Sequence, residues 1–222
     1  MPTLPLRKIL RNLGNLENII PKLLDFNNNY WREQPLISYN RNKGVRTMSL
    51  RAQSGEYAEY YAPYIAKVPA EGELTEILRQ QGEETEAFFA GLSEEQTEFR
   101  YAPGKWSIRE ILGHLTDSER IFAYRMLRIA REDATPMAGF EEDDYVRSGN
   151  FGSVSMDRML AHYRAVRAAS VALLDTFGPE SWMRTGTANR QPISLRAQVC
   201  VLIGHERHHL EVIRERYLKT SE

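Results

Sequence analysis

Apolar residues recur at intervals of three and four positions along most of the chain after residue 70, which is the spacing of helices that bury one face. Four segments of useful length show this pattern, at about residues 74–92, 107–131, 155–177 and 194–217. No convincing run of alternating apolar and polar residues, internal repeat or low-complexity tract accompanies them. The pattern therefore predicts an all-α chain folded as a four-helix bundle.

The second segment has the clearest start. Ser107 and Glu110 form the Ser-x-x-Glu capping box, and Trp106 and Ile111 occupy the two positions of a hydrophobic staple. Between the second and third segments, residues 133–154 form a connection that is long for a helical bundle, so it is expected to cross the bundle or to cover a site. We interpret its acidic run, EEDD at residues 141–144, as a solvated face rather than a cation site.

Two glutamates fall where apolar residues are expected. On the last segment, Glu206 lies near the middle of the face formed by Val199, Leu202, Ile203, Leu210, Ile213 and Tyr217, and Glu119 has the same position on the second segment. A buried carboxylate costs free energy unless it is paired, hydrogen-bonded or protonated. Each glutamate therefore needs a partner, and for Glu206 a metal ion with its water would supply one.

Three of the five histidines lie within GHERHHL, residues 204–210, which contains the zinc-binding pattern HExxH. Helical spacing places His205 and His209 on one flank of the apolar face, whereas His208 points nearly the opposite way and is expected at the surface. His114 has a similar flank position on the second segment. His162 is interpreted as structural.

Three neutral imidazoles, from His114, His205 and His209, suit a divalent metal and leave coordination positions open, as catalytic sites do. Glu119 and Glu206 are then candidates to orient a ligand histidine or to handle a proton. Two simpler interpretations compete: a solvated polar patch on the last helix, and an ordinary surface histidine at position 114. A zinc peptidase is disfavoured, because no further histidine follows His209.

The length, composition and net charge of the chain exclude several classes of protein. The 222 residues carry a net charge of −1 and are 42% hydrophobic, enough for one domain with a sizeable core and without the basic surplus typical of nucleic-acid binding. A single cysteine, Cys200, excludes an intramolecular disulfide and a cysteine-based zinc site. No apolar run approaches the roughly 18 residues of a membrane span, and no signal peptide is apparent. A soluble, cytoplasmic protein without a membrane partner is expected.

The first 47 residues differ in composition from the rest. They hold eight Lys and Arg against three Asp and Glu, a balance of +5, whereas residues 48–222 hold 21 against 27, a balance of −6. Two hypotheses remain open: a basic appendage, or a stretch foreign to the native product, with Met48 as the true start. We favour the second, and expect poor order in either case.

Several ordered motifs resemble those of the DinB/YfiT-like superfamily: PGKWSIRE at residues 103–110, GHLTDSER at 113–120, ATP at 134–136, RAA at 167–169 and GHERHHL at 204–210. The resemblance covers about residues 56–218. It implies a four-helix bundle with a divalent metal, zinc or nickel, held by three histidines that map onto His114, His205 and His209. Residues 1–47 have no counterpart in the family pattern.

Characterised members of that superfamily are similar to S-transferases that use low-molecular-weight thiols such as bacillithiol, and to mycothiol-dependent isomerases; others are labelled metal-dependent hydrolases. The resemblance thus implies a thiol-dependent S-transferase acting on a small-molecule substrate, with Glu206 or Glu119 managing the proton. A hydrolase differs mainly in its nucleophile, and a non-catalytic metal- or ligand-binding bundle is the third hypothesis. The thiol, the electrophile and the native metal are left open, as is a homodimer.

Overall fold

Seven α-helices make up more than half of residues 51–218, the part of the chain that the computed structural model describes. The predictions for residues 1–47 lie outside the described residues. In chain order the helices are α1 (Ala62–Ile65), α2 (Leu74–Ala90), α3 (Glu94–Glu98), α4 (Ile108–Ala130), α5 (Glu142–Gly149), α6 (Met156–Leu174) and α7 (Leu195–Val212). Short 3-10 turns occupy Glu59–Tyr61, Phe151–Ser153 and Pro179–Met183, and a π-helical turn, Ile213–Tyr217, continues α7.

The four long helices, α2, α4, α6 and α7, correspond to the four predicted segments and form the predicted bundle. Helix α6 packs against α2 and α4, and α7 also packs against α2 and α4. The first and second long helices therefore lie diagonally across the bundle, as do the third and fourth. Within the described residues, no helix is both long enough and apolar enough to cross a membrane.

The start of α4 is the predicted capping box. The Ser107 hydroxyl accepts a hydrogen bond from the Glu110 backbone N–H at 3.2 Å, and the Glu110 carboxylate accepts one from the Ser107 N–H at 2.8 Å. Each bond satisfies an amide that the first helical turn leaves without a partner. This cap fixes where α4 begins, and hence the height of His114 in the bundle.

The connection between α4 and α6 is more regular than predicted. Its acidic run forms the first turn of α5, where negative side chains are favoured by the helix dipole. Asp143 of this turn accepts a hydrogen bond from the Trp106 indole at 3.0 Å, so α5 is held against the start of α4.

The prediction of no strands was wrong for residues 185–194. Strands β1 (Thr185–Ala188) and β2 (Gln191–Ser194) form an antiparallel hairpin in which Ala188 pairs with Gln191. The two turn residues, Asn189 and Arg190, have φ values of 49° and 65°, as a type I′ turn requires. Four-residue strands and a turn without glycine gave too little signal in the sequence. The hairpin also anchors the preceding connection, because Met137 exchanges backbone hydrogen bonds with Thr187 and Asn189.

The apolar core consists of two clusters along the bundle. One includes Leu78 of α2, Phe122, Met126, Ile129 and Ala130 of α4, and Leu195, Leu202 and Ile203 of α7; the other includes Phe89 of α2, Ile108, Ile111, Leu112 and Leu115 of α4, and Leu210 of α7. Between the two clusters each long helix contributes buried polar residues: Gln81 and Thr85, His114 and Glu119, Arg167, and His205 and Glu206. This polar layer contains the candidate site.

Candidate metal centre

Three imidazoles converge in the polar layer, and they are the three predicted from the sequence. His114 Nε2 lies 3.0 Å from His205 Nε2, and His209 Nε2 lies 3.2 Å from the same atom. One ring nitrogen from each histidine lies within 4.8 Å of the others. Helix α4 supplies the first histidine and successive turns of α7 the other two, so the site ties two helices together.

All three imidazoles are held in the neutral form that binds metals. Burial lowers the pKa of His114 to about 4, although Asp143 acts in the opposite direction. Burial and the neighbouring histidines lower the pKa of His209 to about 3 and that of His205 well below its ordinary value. Each ring therefore has a free lone pair at neutral pH.

Aromatic side chains wall the three histidines. The Trp106 ring lies 4.7 Å from the His114 ring, centre to centre, and the Phe122 and Tyr64 rings lie 5.7 Å and 5.5 Å from that of His205. Gly204 permits the Tyr64 contact, since a Cβ atom at that position would sit 2.0 Å from the Tyr64 carbonyl oxygen. The motif glycine beside His205 is thus explained by close packing of α7 against α1.

Glu206 has partners other than the histidines. One carboxylate oxygen accepts hydrogen bonds from Gln81 at 2.9 Å and Thr85 at 2.8 Å, and the other accepts from the Tyr163 hydroxyl at 3.0 Å and from Arg167. Glu206 is only 2% exposed. Its position on an apolar face is therefore compensated by a complete set of donors from α2 and α6.

Arg167 also binds Glu119, and so links the two predicted glutamates. Its Nε and Nη2 donate to the Glu119 carboxylate at 2.9–3.1 Å, and its Nη1 donates to the Leu78 carbonyl at 3.0 Å. Burial opposes the charged guanidinium, but the charges of Glu206 and Glu119 outweigh it and raise its pKa well above the ordinary value. Gly82 leaves room for this side chain, because a Cβ there would lie 2.7 Å from Arg167 Cγ.

The remaining histidines stay outside the converging group. His208 is half-buried rather than fully exposed, with its ring 5.6 Å from that of Tyr64. His162 is exposed and accepts from Arg120 at the surface of α4. No hydrogen bond within the described residues joins Glu119 or Glu206 to a histidine of the group, so their predicted role in proton transfer stays a prediction.

Sequence reasoning did not identify Arg167 as the partner of both glutamates, nor Trp106 as a wall of the site. The i, i+4 spacing of Tyr163 and Arg167 places them on one face of α6. An arginine on an amphipathic helix is usually solvated, however, so its burial could be inferred only once the two carboxylates were known to lie opposite it.

The donor set suits a metal ion. In tetrahedral zinc sites, Zn–N distances of about 2.0–2.1 Å place two ligand nitrogens roughly 3.3 Å apart, close to the observed 3.0 and 3.2 Å. A single ring nitrogen of His205 has one lone pair or one proton, and so cannot form good hydrogen bonds with both neighbouring nitrogens at once. A cation among the three nitrogens satisfies all of the lone pairs.

Comparison with known proteins places this arrangement in a family. The model of the DinB superfamily matches residues 77–213, more than half of the chain. The chain belongs to the DinB superfamily. The match extends from α2 to the end of α7, and so includes all four long helices and the three converging histidines.

Two proteins to which the chain is similar illustrate the relationship. A protein of Geobacillus thermodenitrificans (strain NG80-2), described as a "Putative metal-dependent hydrolase", is 22% identical over 134 residues, which cover 60% of this chain and 75% of that protein. The solved structure of YfiT from Bacillus subtilis, described as a probable metal-dependent hydrolase with an unusual four-helix bundle topology, is similar with a TM-score of 0.58 and 18% identity. That match covers 64% of this chain and 84% of YfiT. At this identity the structural match supports the fold alone.

Proposed function

We propose that the chain is a metal-dependent S-transferase in which His114, His205 and His209 hold one divalent metal, zinc or nickel, and a low-molecular-weight thiol is the co-substrate. The observation that supports it best is the convergence of three neutral imidazoles, two of them buried and His209 partly buried, beside an open cavity. A divalent metal bound there lowers the pKa of a thiol or a water, so that its conjugate base forms near neutral pH.

In the transfer, the thiol loses its proton, the sulfur forms a bond to carbon of the electrophile, and the leaving group departs with the bonding electrons. The protein's own contribution is to bind and to orient. The rings of Trp106, Phe122 and Tyr64 lie against the histidines and present an apolar surface to an organic electrophile.

The contacts of Glu206 and Glu119 support a positioning role for both. Glu206 follows His205 directly, and its four hydrogen bonds fix the rotation of α7 relative to α2 and α6. Glu119 lies five residues after His114 and is held by Arg167. Together these contacts set how the two helices present their histidines to one another.

A hydrolase is the second candidate, favoured by the descriptions of the Geobacillus and Bacillus relatives. Water would then replace the thiol as nucleophile at the same site. A non-catalytic metal-binding bundle is the third candidate.

One assay separates the three. Untagged protein, loaded with zinc or nickel, is incubated with a panel of thiols and chlorodinitrobenzene, and in parallel with p-nitrophenyl acetate without thiol. The proposal predicts turnover that requires both metal and thiol, is lost in His114→Ala and is retained in His162→Ala. Metal-dependent ester hydrolysis without any thiol-dependent turnover would support the hydrolase, and no turnover of either kind would support the binding bundle.

A further inference from the structure

A cavity of about 200 Å³ lies beside the histidine group, and His205 forms part of its wall. This is far more than the roughly 10–15 Å³ that one water needs, so a small organic molecule fits. The other walls come from Tyr60, Tyr61 and Tyr64 in and before α1, from α4, from the connection anchored on the β-hairpin, and from Val201 of α7. A molecule in this cavity touches the candidate metal centre from the side of His205.

One wall residue, Arg125 of α4, has no carboxylate partner among the described residues, whereas every other buried arginine there has one. Arg109 pairs with Glu94 and Glu98, Arg167 with Glu119 and Glu206, and Arg196 with Glu56. Arg125 is 3% exposed, and no ion pair within the described residues includes it.

The contacts of Arg125 are weak for a buried cation. Its Nη2 donates to the Ala138 carbonyl at 2.9 Å, its guanidinium lies near the Tyr61 hydroxyl, and its Cζ lies 5.8 Å from the centre of the Phe122 ring. Its Nε has no hydrogen-bond partner within residues 51–218. A buried positive charge without a counter-charge costs free energy, which an anion in the cavity would recover.

The anion that fits is a carboxylate. A planar guanidinium matches a carboxylate through two parallel N–H···O bonds. Arg125 is the only lysine or arginine in the wall of this cavity as described, and the exposed Glu142 lies in the same wall. A cavity wall with one positive charge and one carboxylate suits a singly charged group better than a doubly charged phosphate.

The cavity also brings the proposed anion-binding residue, Arg125, close to the histidine group. The Phe122 ring is close to both Arg125 and His205: its centre lies 5.7 Å from that of the His205 ring and 5.8 Å from Arg125 Cζ. A short chain that runs across Phe122 can therefore reach from Arg125 to the histidine group.

We propose that Arg125 binds the carboxylate of a small anionic substrate in this cavity and directs the rest of that molecule towards His205. The inference rests on the proposed function, because it names the class of molecule that meets the metal centre. Arg125 is in this account a substrate-binding residue, and Ala138 and Tyr61 hold its guanidinium in place.

The test measures binding by calorimetry to zinc-loaded protein, with four probes: butyrate, 4-mercaptobutyrate, 4-mercaptobutanol and methyl phosphate. The variants are Arg125→Gln, Arg125→Lys and the control Arg120→Gln, which alters an exposed arginine of the same helix. Loss of a charge-assisted pair predicts about 10–100-fold weaker binding of both carboxylates to Arg125→Gln. The carboxylate affinity of Arg125→Lys should lie between those of Arg125→Gln and the wild type, and that of Arg120→Gln should equal the wild-type value. The affinity for 4-mercaptobutanol should be the same in the wild type and in both Arg125 variants.

Equal butyrate affinity in the wild type and Arg125→Gln would overturn the inference, and tighter, Arg125-dependent binding of methyl phosphate would overturn the choice of a carboxylate. If neither thiol binds through the metal while butyrate still depends on Arg125, the proposed function fails and the anion site stands. If Arg125→Gln does not fold, the Arg125 Nε–H signal of the wild type, assigned with Arg125→Lys, is followed by NMR during butyrate addition. A saturable shift is expected, and an unchanged signal would contradict the assignment.

Discussion

The polar layer of the bundle contains two buried clusters that differ in how completely their groups are satisfied. The ion cluster, formed by Glu119, Glu206, Arg167 and Tyr163, gives each carboxylate and the guanidinium partners from within the chain. The histidine cluster, formed by His114, His205 and His209, brings three lone pairs together, and the described residues supply too few donors to satisfy them. Both lie between the same two apolar halves of the core.

This difference separates a cluster that stabilises the fold from a cluster that binds a ligand. A buried polar group that is fully paired stabilises one arrangement of the helices, whereas a group of converging acceptors is costly until something outside the chain binds to it. The ion cluster therefore fixes the register of the four helices, and the histidine cluster uses that register to receive a ligand. Arg125 belongs with the histidines in this respect, because the described residues form no ion pair with it.

Breaking the ion cluster should have the largest effect on stability. Arg167→Met leaves two buried carboxylates without a counter-charge, and should lower the free energy of unfolding by about 3–5 kcal/mol. Arg164→Met is the matched control: it removes an arginine of the same helix that is 61% exposed and pairs with Glu86, and should cost about 1 kcal/mol or less. Urea denaturation measures both, and equal costs would show that the cluster does not stabilise the bundle.

Acid should destabilise the metal-free protein through the histidine cluster. The pKa of His114 is lowered from 6.5 to about 4 in the folded state. Between these two pH values, His114 therefore binds a proton in the unfolded chain but not in the folded chain. Stability should fall as the pH drops from about 6.5 to about 4, by on the order of 3 kcal/mol for this residue. Metal-free His114→Leu should show a flatter profile in denaturation at each pH. A wild-type profile that is flat over this range would contradict the buried, neutral state of the cluster.

Removing one charge from the ion cluster should separate positioning from proton transfer. Glu206→Gln keeps the shape of the side chain but replaces one oxygen, which accepts two hydrogen bonds, by an NH2 donor, so it should cost about 1–3 kcal/mol of stability. Metal affinity or turnover should fall by no more than about 10–100-fold. The pH profile of the remaining turnover is the decisive readout. An unchanged profile agrees with positioning, whereas loss of its acidic limb would show that Glu206 handles a proton.

A substitution at Gln198 of α7 should increase stability by a small amount, whereas the changes above decrease it. This residue is fully buried, and neither its amide nitrogen nor its oxygen has a partner within the described part of the chain. Unlike the two clusters, it has neither an internal partner nor a charge to attract one. Gln198→Met should raise the free energy of unfolding by roughly 1 kcal/mol, while Gln80→Met on the exposed face of α2 should change it by less than about 0.5 kcal/mol. A melting temperature that falls in Gln198→Met would contradict this account.

The sequence predicted the bundle and the histidines well because both follow from helical periodicity. The capping box at Ser107 predicted the start of α4, and the i, i+4 spacing of His205 and His209 predicted that they share a flank of the last helix. His114 was added because it has a similar flank position on the second segment. The sequence did not predict that Glu206 is bound by Arg167, because a charged residue on α6 has no local pattern that distinguishes burial from exposure. The β-hairpin and the cavity were missed for a related reason: both depend on contacts between distant segments, such as Met137 with Thr187.

Metal content tests the central claim most directly. Untagged wild type and five alanine variants are dialysed against zinc and nickel in turn, and the bound metal per chain is then measured. The account predicts one metal per chain in the wild type, loss of stoichiometric binding in His114→Ala, His205→Ala and His209→Ala with the helical content retained, and wild-type binding in His208→Ala and His162→Ala. Metal retained by His209→Ala but lost by His208→Ala would contradict the assignment of the ligands, and equal metal content in all six proteins would show that these histidines hold no metal.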